Sequence, residues 1–114
     1  MPNQKHPIEQ TFIALSDPTR RAVVQTLSEG SATVSRLANP FDMALPSFTQ
    51  HLGVLEDAGL IVSRREGRSR VCSLNPSALK NAEEWMAFYR QQWESRMDRF
   101  EAHIKQKKKE KPND

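Results

Sequence analysis

The stretch LPSFTQHLGVLEDAGLIVSRREGRSR, residues 45–70, constrains this chain more than any other. Phe48, Leu52 and Leu55 recur at helical spacing, so one face of a helix must meet a core. Gly59 then stops that helix. With Gly59 at C′, Leu60 falls at C″ and Leu55 at C3, the apolar pair of a Schellman cap. Beyond the stop, LIVSRR and RSRVCSL read as two short strands joined around Glu66-Gly67. A helix that ends abruptly against an arginine-dense hairpin is the unit around which every other element has to be arranged.

Upstream, Ile8, Phe12 and Leu15 fall at i, i+4 and i+7 behind Pro7, the pattern of a short amphipathic helix. Asp17 as N-cap and Pro18 as first helical residue start a second helix that buries Val23 and Leu27 and that Gly30 ends. Thr33 caps a short third helix, TVSRLA, which Pro40 prevents from continuing. After the connector NPFDM a fourth helix runs from about Pro46 to Ala58. Asn75-Pro76 closes the hairpin, and a long helix follows from about Ser77 to about Lys107. The expected fold is mainly α with a small β-hairpin wing: a winged helix–turn–helix in the order α-α-α-α-β-β-α. The expected division is a DNA-binding domain with its N-terminal helix over 1–76, a long dimerisation helix over 77–107, and a disordered basic tail over 108–114.

Length and charge narrow the class. With 114 residues the chain has material for one modest core. Its formal charge of +3 is a property of the tail, since KQKKKEK at 105–111 carries five lysines against one glutamate. Residues 1–104 hold 12 basic and 12 acidic side chains, so total charge alone does not argue for nucleic acid. Distribution does: SRREGRSR at 63–70 concentrates four arginines against one glutamate. A single cysteine, Cys72, fits a reducing compartment, and no apolar run approaches a membrane span or a secretory signal. The expected location is cytoplasmic, with no membrane partner.

On the fourth helix, the residues away from Phe48, Leu52 and Leu55 are those that could enter a DNA groove. Ser47, Thr49 and Gln50 near its N-terminus are hydroxyl or amide side chains suited to base edges and phosphates, and glutamine can pair bidentately with adenine. Gly53 keeps that side slim. The bland reading, an ordinary solvated face, accounts for these residues equally well when they are taken alone. His51 lies at the edge of the apolar face, as a partly buried histidine hydrogen-bonded at the helix surface or as a phosphate contact rather than a metal ligand. In the hairpin, a two-residue turn at Glu66-Gly67 sets Arg65 opposite Arg68 and Ser63 opposite Arg70. Val62 and Val71 then face the core. Arginines crowded on one sheet face repel one another unless an anion lies against them.

The last helix carries Ala82, Met86, Tyr89, Trp93, Met97, Phe100 and Ile104 at spacings of three and four. A rod of some thirty residues, roughly 45 Å, exceeds the roughly 30 Å of a domain built from the residues before it. Left wet, this stripe is a costly patch. A second copy of the same helix covers it, with Phe12 from the first helix and Trp85 nearby. The expected interface is therefore Phe12, Trp85, Tyr89, Trp93, Met97, Phe100 and Ile104 in a homodimer.

ALSDPTRRAVVQTLSEG, TVSRLANPFDMALPSFTQHLGVLEDAGLI and SRREGRSRVCSLNP, taken together and in that order, resemble the ArsR/SmtB-type winged helix–turn–helix transcriptional regulators. The likeness spans roughly Phe12 to Trp93. It implies a homodimer whose first and last helices form the interface, a recognition helix at about Leu45–Ala58, and repression by occupying an inverted-repeat operator in double-stranded DNA. It assigns DNA contacts to Thr49, Gln50 and His51 and to the wing arginines, so that the full candidate set is Ser47, Thr49, Gln50, His51, Arg64, Arg65, Arg68 and Arg70. The chain departs from the family's metal sensors. TVSRLA holds neither cysteine nor histidine, and the last helix offers only Asp98, Glu101 and His103. A transition-metal site needs three or four convergent ligands, so the resemblance is to a metal-free branch with no cofactor. A small-molecule effector is compatible with such a regulator, and the residues name none. Ala44 stands where relatives often carry a capping serine.

An enzyme is disfavoured. There is no GxSxG and no phosphate loop, and His6, His51 and His103 fall on separate elements. The competing class is a winged-helix docking module without specific DNA binding, which has no use for aligned arginines. RNA binding lacks any RRM or KH signature.

Overall fold

The Schellman stop at Gly59 is where the chain changes from helix to sheet. In the computed structural model, which describes residues 7–110, Gly59 has φ +76° and its N–H bonds the Glu56 carbonyl at 2.9 Å. The Leu60 N–H bonds the Leu55 carbonyl at 3.0 Å, and both leucine side chains are fully buried. This is the double bond and apolar clasp that the sequence predicts.

The elements are α1 (Pro7–Leu15), α2 (Pro18–Leu27), β1 (Ala32–Thr33), α3 (Val34–Ala38), α4 (Leu45–Asp57), β2 (Ile61–Glu66), β3 (Ser69–Leu74) and α5 (Pro76–Glu110). The predicted winged helix–turn–helix order is present with one addition. The strand β1 pairs antiparallel with β3, giving a three-stranded sheet in the order β1-β3-β2. Two residues carry no periodicity, so nothing local announces β1. It exists because Ala32 and Thr33 find Cys72 and Val71 across the sheet.

Local signals set most boundaries. Asp17 has extended backbone and its carboxylate accepts from the Arg20 N–H at 3.0 Å, while Pro18 occupies the first turn. The Thr33 hydroxyl accepts from the Arg36 N–H at 3.2 Å. Ala44 supplies no side-chain cap to α4, as its identity implies. The last helix runs past the expected end, through Lys108 and Lys109 to Glu110, with Lys107, Lys108 and Lys109 complementing the dipole of its final turn. Residues 111–114, the remainder of the expected disordered tail, lie outside the described residues, as does His6.

The chain divides into two compact units, one ending at Ala82 and the other beginning at Glu83. The first therefore takes in the opening turns of α5 rather than stopping at 76: Ala78 and Leu79 pack on its core and Ala82 is buried. Phe48, Leu55, Leu60, Ile61, Val23 and Cys72 are its largest fully buried side chains. Phe41 stacks on Phe48 with ring centroids 5.5 Å apart. Burying a side chain of this size stabilises by about 1.5–3 kcal/mol. On α1 the buried face is Thr11 and Ala14, whereas Phe12 and Ile13 are exposed. The expected Ile8–Phe12–Leu15 face is thus turned so that Phe12 is exposed.

In the second unit every large apolar side chain is exposed: Trp85, Met86, Phe88, Tyr89, Trp93, Met97, Phe100 and Ile104. Tyr89 touches both Trp85 and Phe88, with centroids 4.7 and 5.0 Å apart. Arg90 and Glu94 pair at 2.9 Å along the polar side. Among the described residues no helix is long and apolar enough to cross a membrane.

Candidate nucleic-acid interface

The helix–turn–helix is α3 and α4. Phe48, Leu52 and Leu55 anchor α4 in the core, as their spacing predicts, and leave Ser47, Thr49 and Gln50 exposed in its first turns. Thr49 is less free than its sequence position suggests. Its hydroxyl donates to the Pro46 carbonyl at 3.0 Å, so towards a ligand it can offer only lone pairs. Gln50 has both ends of its amide available for base pairing of the adenine type.

His51 points elsewhere. Its Nδ1 lies 3.0 Å from the Arg20 guanidinium and 3.6 Å from the Asp17 carboxylate, both on the start of α2. Arginine can only donate, so Nδ1 accepts and Nε2 is left to carry the ring proton. His51 is therefore first of all a bridge between α4 and α2. The same Arg20 donates through Nε to the Ala14 carbonyl at 2.7 Å and through Nη2 to the Ile13 carbonyl at 3.1 Å. Arg21 reaches the Leu15 carbonyl at 2.9 Å. The segment DPTRR thus starts α2 with its first residue and closes α1 with its last two. The Asp17 carboxyl is held below its ordinary value of 3.8, chiefly by the Arg20 N–H, against a raising effect of burial and with help from the Arg20 charge.

The wing corrects the expected pairing: the turn lies one residue further along the chain, so each residue of the first strand meets a partner two positions later than expected. The strands pair Arg65 with Arg70, Glu66 with Ser69 and Ser63 with Cys72, which makes Gly67-Arg68 the two-residue turn. Glycine explains the difference. Gly67 has φ +61°, and among the described residues none other than glycine has positive φ. A two-residue turn led by glycine needs positive φ only at its first position, whereas Glu66-Gly67 in a type I′ turn would force Glu66 there too. The shift is even, so Val62 and Val71 still share a face; Val62 now lies opposite Ser73 and is 52% exposed instead of facing the core, while Val71 is buried as expected. Arg65 and Arg70 become direct cross-strand neighbours, with Arg68 at the tip.

Arg64 is set apart from the other three. Its guanidinium meets the Glu66 carboxylate at 2.6 Å and reaches the Ser73 hydroxyl at 3.3 Å, on the opposite side of the hairpin from Arg65 and Arg70. At this exposure the pair contributes little stability, yet it answers the charge of Arg64 locally. Arg70 is tied the other way, towards α4: its Nε donates to the Ser63 hydroxyl at 3.1 Å, and Ser63 donates to the Glu56 carboxylate at 2.6 Å. Between α4 and the wing lies a crevice of about 310 Å³ lined by Thr49, Gly53, Glu56 and Arg70 over a floor of Val34, Leu52 and Cys72. Cys72 is 1% exposed, and its thiol is pushed up by burial and then by the Glu56 carboxylate, with Arg70 opposing. It packs; it is not poised to react. Among the described residues no group of three or more His, Cys, Asp or Glu side chains converges on a metal position. The bridges from Arg20 to His51 and from Arg70 to Glu56 were not readable beforehand, because each joins side chains whose elements meet only in the folded chain.

This arrangement has known relatives. A helix-turn-helix domain family matches residues 15–64. The transcriptional repressor SdpR of Bacillus subtilis (strain 168) is 35% identical over 79 residues, which cover 69% of this chain and 88% of that protein. An HTH-type transcriptional regulator of Mycobacterium tuberculosis is 39% identical over 71 residues, covering 62% of this chain and 66% of that one. Among solved structures, an ArsR family transcriptional regulator matches with a TM-score of 0.76 and 48% identity, over 78% of this chain and 98% of that chain. With its winged helix–turn–helix and this degree of identity across nearly the whole length of such relatives, the chain belongs to the ArsR family of DNA-binding transcriptional regulators.

Proposed function

We propose that this regulator is a homodimeric repressor that occupies an inverted-repeat operator, with α4 in the major groove and the wing against the backbone. The observation that carries the reading is the direct opposition of Arg65 and Arg70, with Arg68 at the adjoining turn. Like charges facing one another across a sheet cost stability, and phosphate is the partner that reverses the sign. Ser47 and Gln50 supply base contacts, Thr49 accepts, and His51 sets the seat of α4. Arg64 is secondary because Glu66 already neutralises it.

The dimer rests on the second unit, where Tyr89, Trp93, Met97, Phe100 and Ile104 form one exposed stripe. A second copy of α5 covers it, with Phe12 and Trp85 joining the contact, and a two-fold axis then sets two recognition helices about one DNA turn apart. No metal or cofactor takes part in this reading, and an effector of unassigned identity would act by changing the dimer.

Footprinting upstream of its own gene tests the reading, combined with salt titration of the Arg65→Ala, Arg68→Ala, Arg70→Ala triple variant. Protection of an inverted repeat is expected, with the salt slope shallower by about one for each lost phosphate contact. An unchanged slope would remove the wing from the interface.

A further inference from the structure

Arg70 differs from the arginines around it. Arg64 is closed off by a carboxylate, Arg68 rides the turn, and Arg65 makes no side-chain hydrogen bond or ion pair among the described residues. Arg70 is anchored to a neutral hydroxyl through its Nε only, which leaves both terminal nitrogens for a ligand. The anchor is a hydroxyl, not a charge. A direct Arg70–Glu56 ion pair would spend the guanidinium on the protein itself. Ser63 stands between them, donating its one proton to Glu56 at 2.6 Å and accepting from Arg70 at 3.1 Å. Because the carboxylate takes the proton, the Ser63 lone pairs are fixed towards Arg70. Glu56 lies in the last turn of α4 and Ser63 and Arg70 on the two wing strands, so three elements are joined by one chain of bonds. Both ends of that chain, Glu56 and Arg70, border the crevice that exposed Thr49 and half-buried Gly53 also line.

We propose that Ser63 and Glu56 are positioning residues for DNA binding: they hold Arg70 at a fixed place and distance from the recognition helix, so that its terminal nitrogens meet a phosphate at the same register as the α4 contacts. The inference rests on the reading of the wing as a phosphate-binding element. Its energetic content is preorganisation. An arginine already fixed by Nε loses less rotamer freedom on binding than one swinging in solvent. The cross-strand neighbour Arg65 reinforces the point, since repulsion from it would otherwise drive Arg70 away from the site.

The test is a double-mutant cycle on Ser63 and Arg70, reading affinity and salt slope on a mixed-sequence duplex of about 30 base pairs, three helical turns. Arg70→Ala is expected to make the slope shallower by about one. Ser63→Ala is expected to weaken binding by about threefold to tenfold, the net size of one ordinary hydrogen bond, and to shift the slope in the same direction. In the Arg70→Ala background Ser63→Ala should add nothing; with Arg70 present, Ser63→Thr, which keeps the hydroxyl, should bind as the wild type does. The side-chain Nε–H signal of Arg70 should be protected from exchange in the wild type and lose that protection in Ser63→Ala. If Arg70→Ala leaves the slope unchanged, the wing reading fails. If Arg70→Ala behaves as expected but Ser63→Ala binds like the wild type, or weakens binding by the same factor with and without Arg70, the positioning role fails and the wing reading stands.

Discussion

Phe48 and Trp93 are both large aromatic side chains in register with other apolar residues on a helix, yet Phe48 has no exposed surface and Trp93 keeps 61% of its own. The contrast holds for the regions around them. Up to Ala82 the apolar residues converge, the helix ends are capped, and among the described residues no buried side-chain polar atom lacks a partner. From Glu83 to Glu110 no large apolar side chain is buried, although their spacing is as regular as that of α4. Regular spacing shows that a helix has an apolar face; it does not show whether anything in the same chain covers that face. Where apolar residues on one helix face find no cover within the molecule, the missing surface belongs to the proposed second copy.

This difference can be tested by the largest effects it implies. Phe48→Ala should lower stability by about 3–5 kcal/mol, the usual cost of emptying an aromatic core site, and denaturant titration should give that loss at every protein concentration. Trp93→Glu should behave in the opposite manner. It should weaken self-association by about 2–4 kcal/mol, as expected for a central interface aromatic, and abolish the concentration dependence of Tm. Sedimentation of both variants reads the outcome. A wild type that remains monomeric at micromolar concentration would break the comparison, because the stripe would then be stable while wet.

A smaller effect probes the capped region. Asp17→Ala removes the α2 cap and one neighbour of His51, and should cost about 1 kcal/mol at neutral pH. The carboxyl's folded-state value is depressed, so its contribution is present above the ordinary value of 3.8 and is lost as pH falls through the lower folded value. Stability of the wild type should therefore decline below about pH 4, with Asp17→Asn, which can still cap, losing that part of the decline. Thermal melts between neutral pH and pH 3 of the wild type and both variants check this. An acid limb that is identical in Asp17→Asn would assign the titration to other groups.

What could be read in the sequence was what is decided within a few residues. Asp17-Pro18, Thr33 and the Leu55–Gly59–Leu60 clasp each involve partners less than two helical turns apart, and each is present in the structure. The apolar face of α4 was legible for the same reason. What escaped were the pairings made across long loops. The contact of Ser31 with Ser73, which accompanies β1, spans 42 positions, and that of Arg20 with His51 spans 31. The wing turn was misplaced by one residue, and its pairing therefore by two, because the turn depends on which position takes glycine. The rotation of Phe12 out of the core depended on Thr11 and Ala14, which are small enough to let α1 approach closely.

Gly53 carries the smallest expected effect, and it brings the comparison inside the folded unit itself. It sits mid-way along α4, where glycine costs about 0.8–1 kcal/mol relative to alanine. Its backbone is not among the positive-φ glycines, and a Cβ built on it would meet nothing within 4 Å. Among the described residues nothing therefore requires a glycine here, just as they leave most of Trp93 exposed. Gly53 lines the crevice between α4 and the wing, beside Thr49 and Arg70, where the proposed DNA backbone would approach. Gly53→Ala should raise stability by roughly 0.5–1 kcal/mol and at the same time weaken DNA binding, two changes of opposite sign from one methyl group. Thermal denaturation and a DNA titration of the same sample measure both. A variant that is more stable and binds DNA as the wild type does would mean that the groove side of α4 has room to spare, and the close approach argued for Thr49 and Gln50 would have to be relaxed with it.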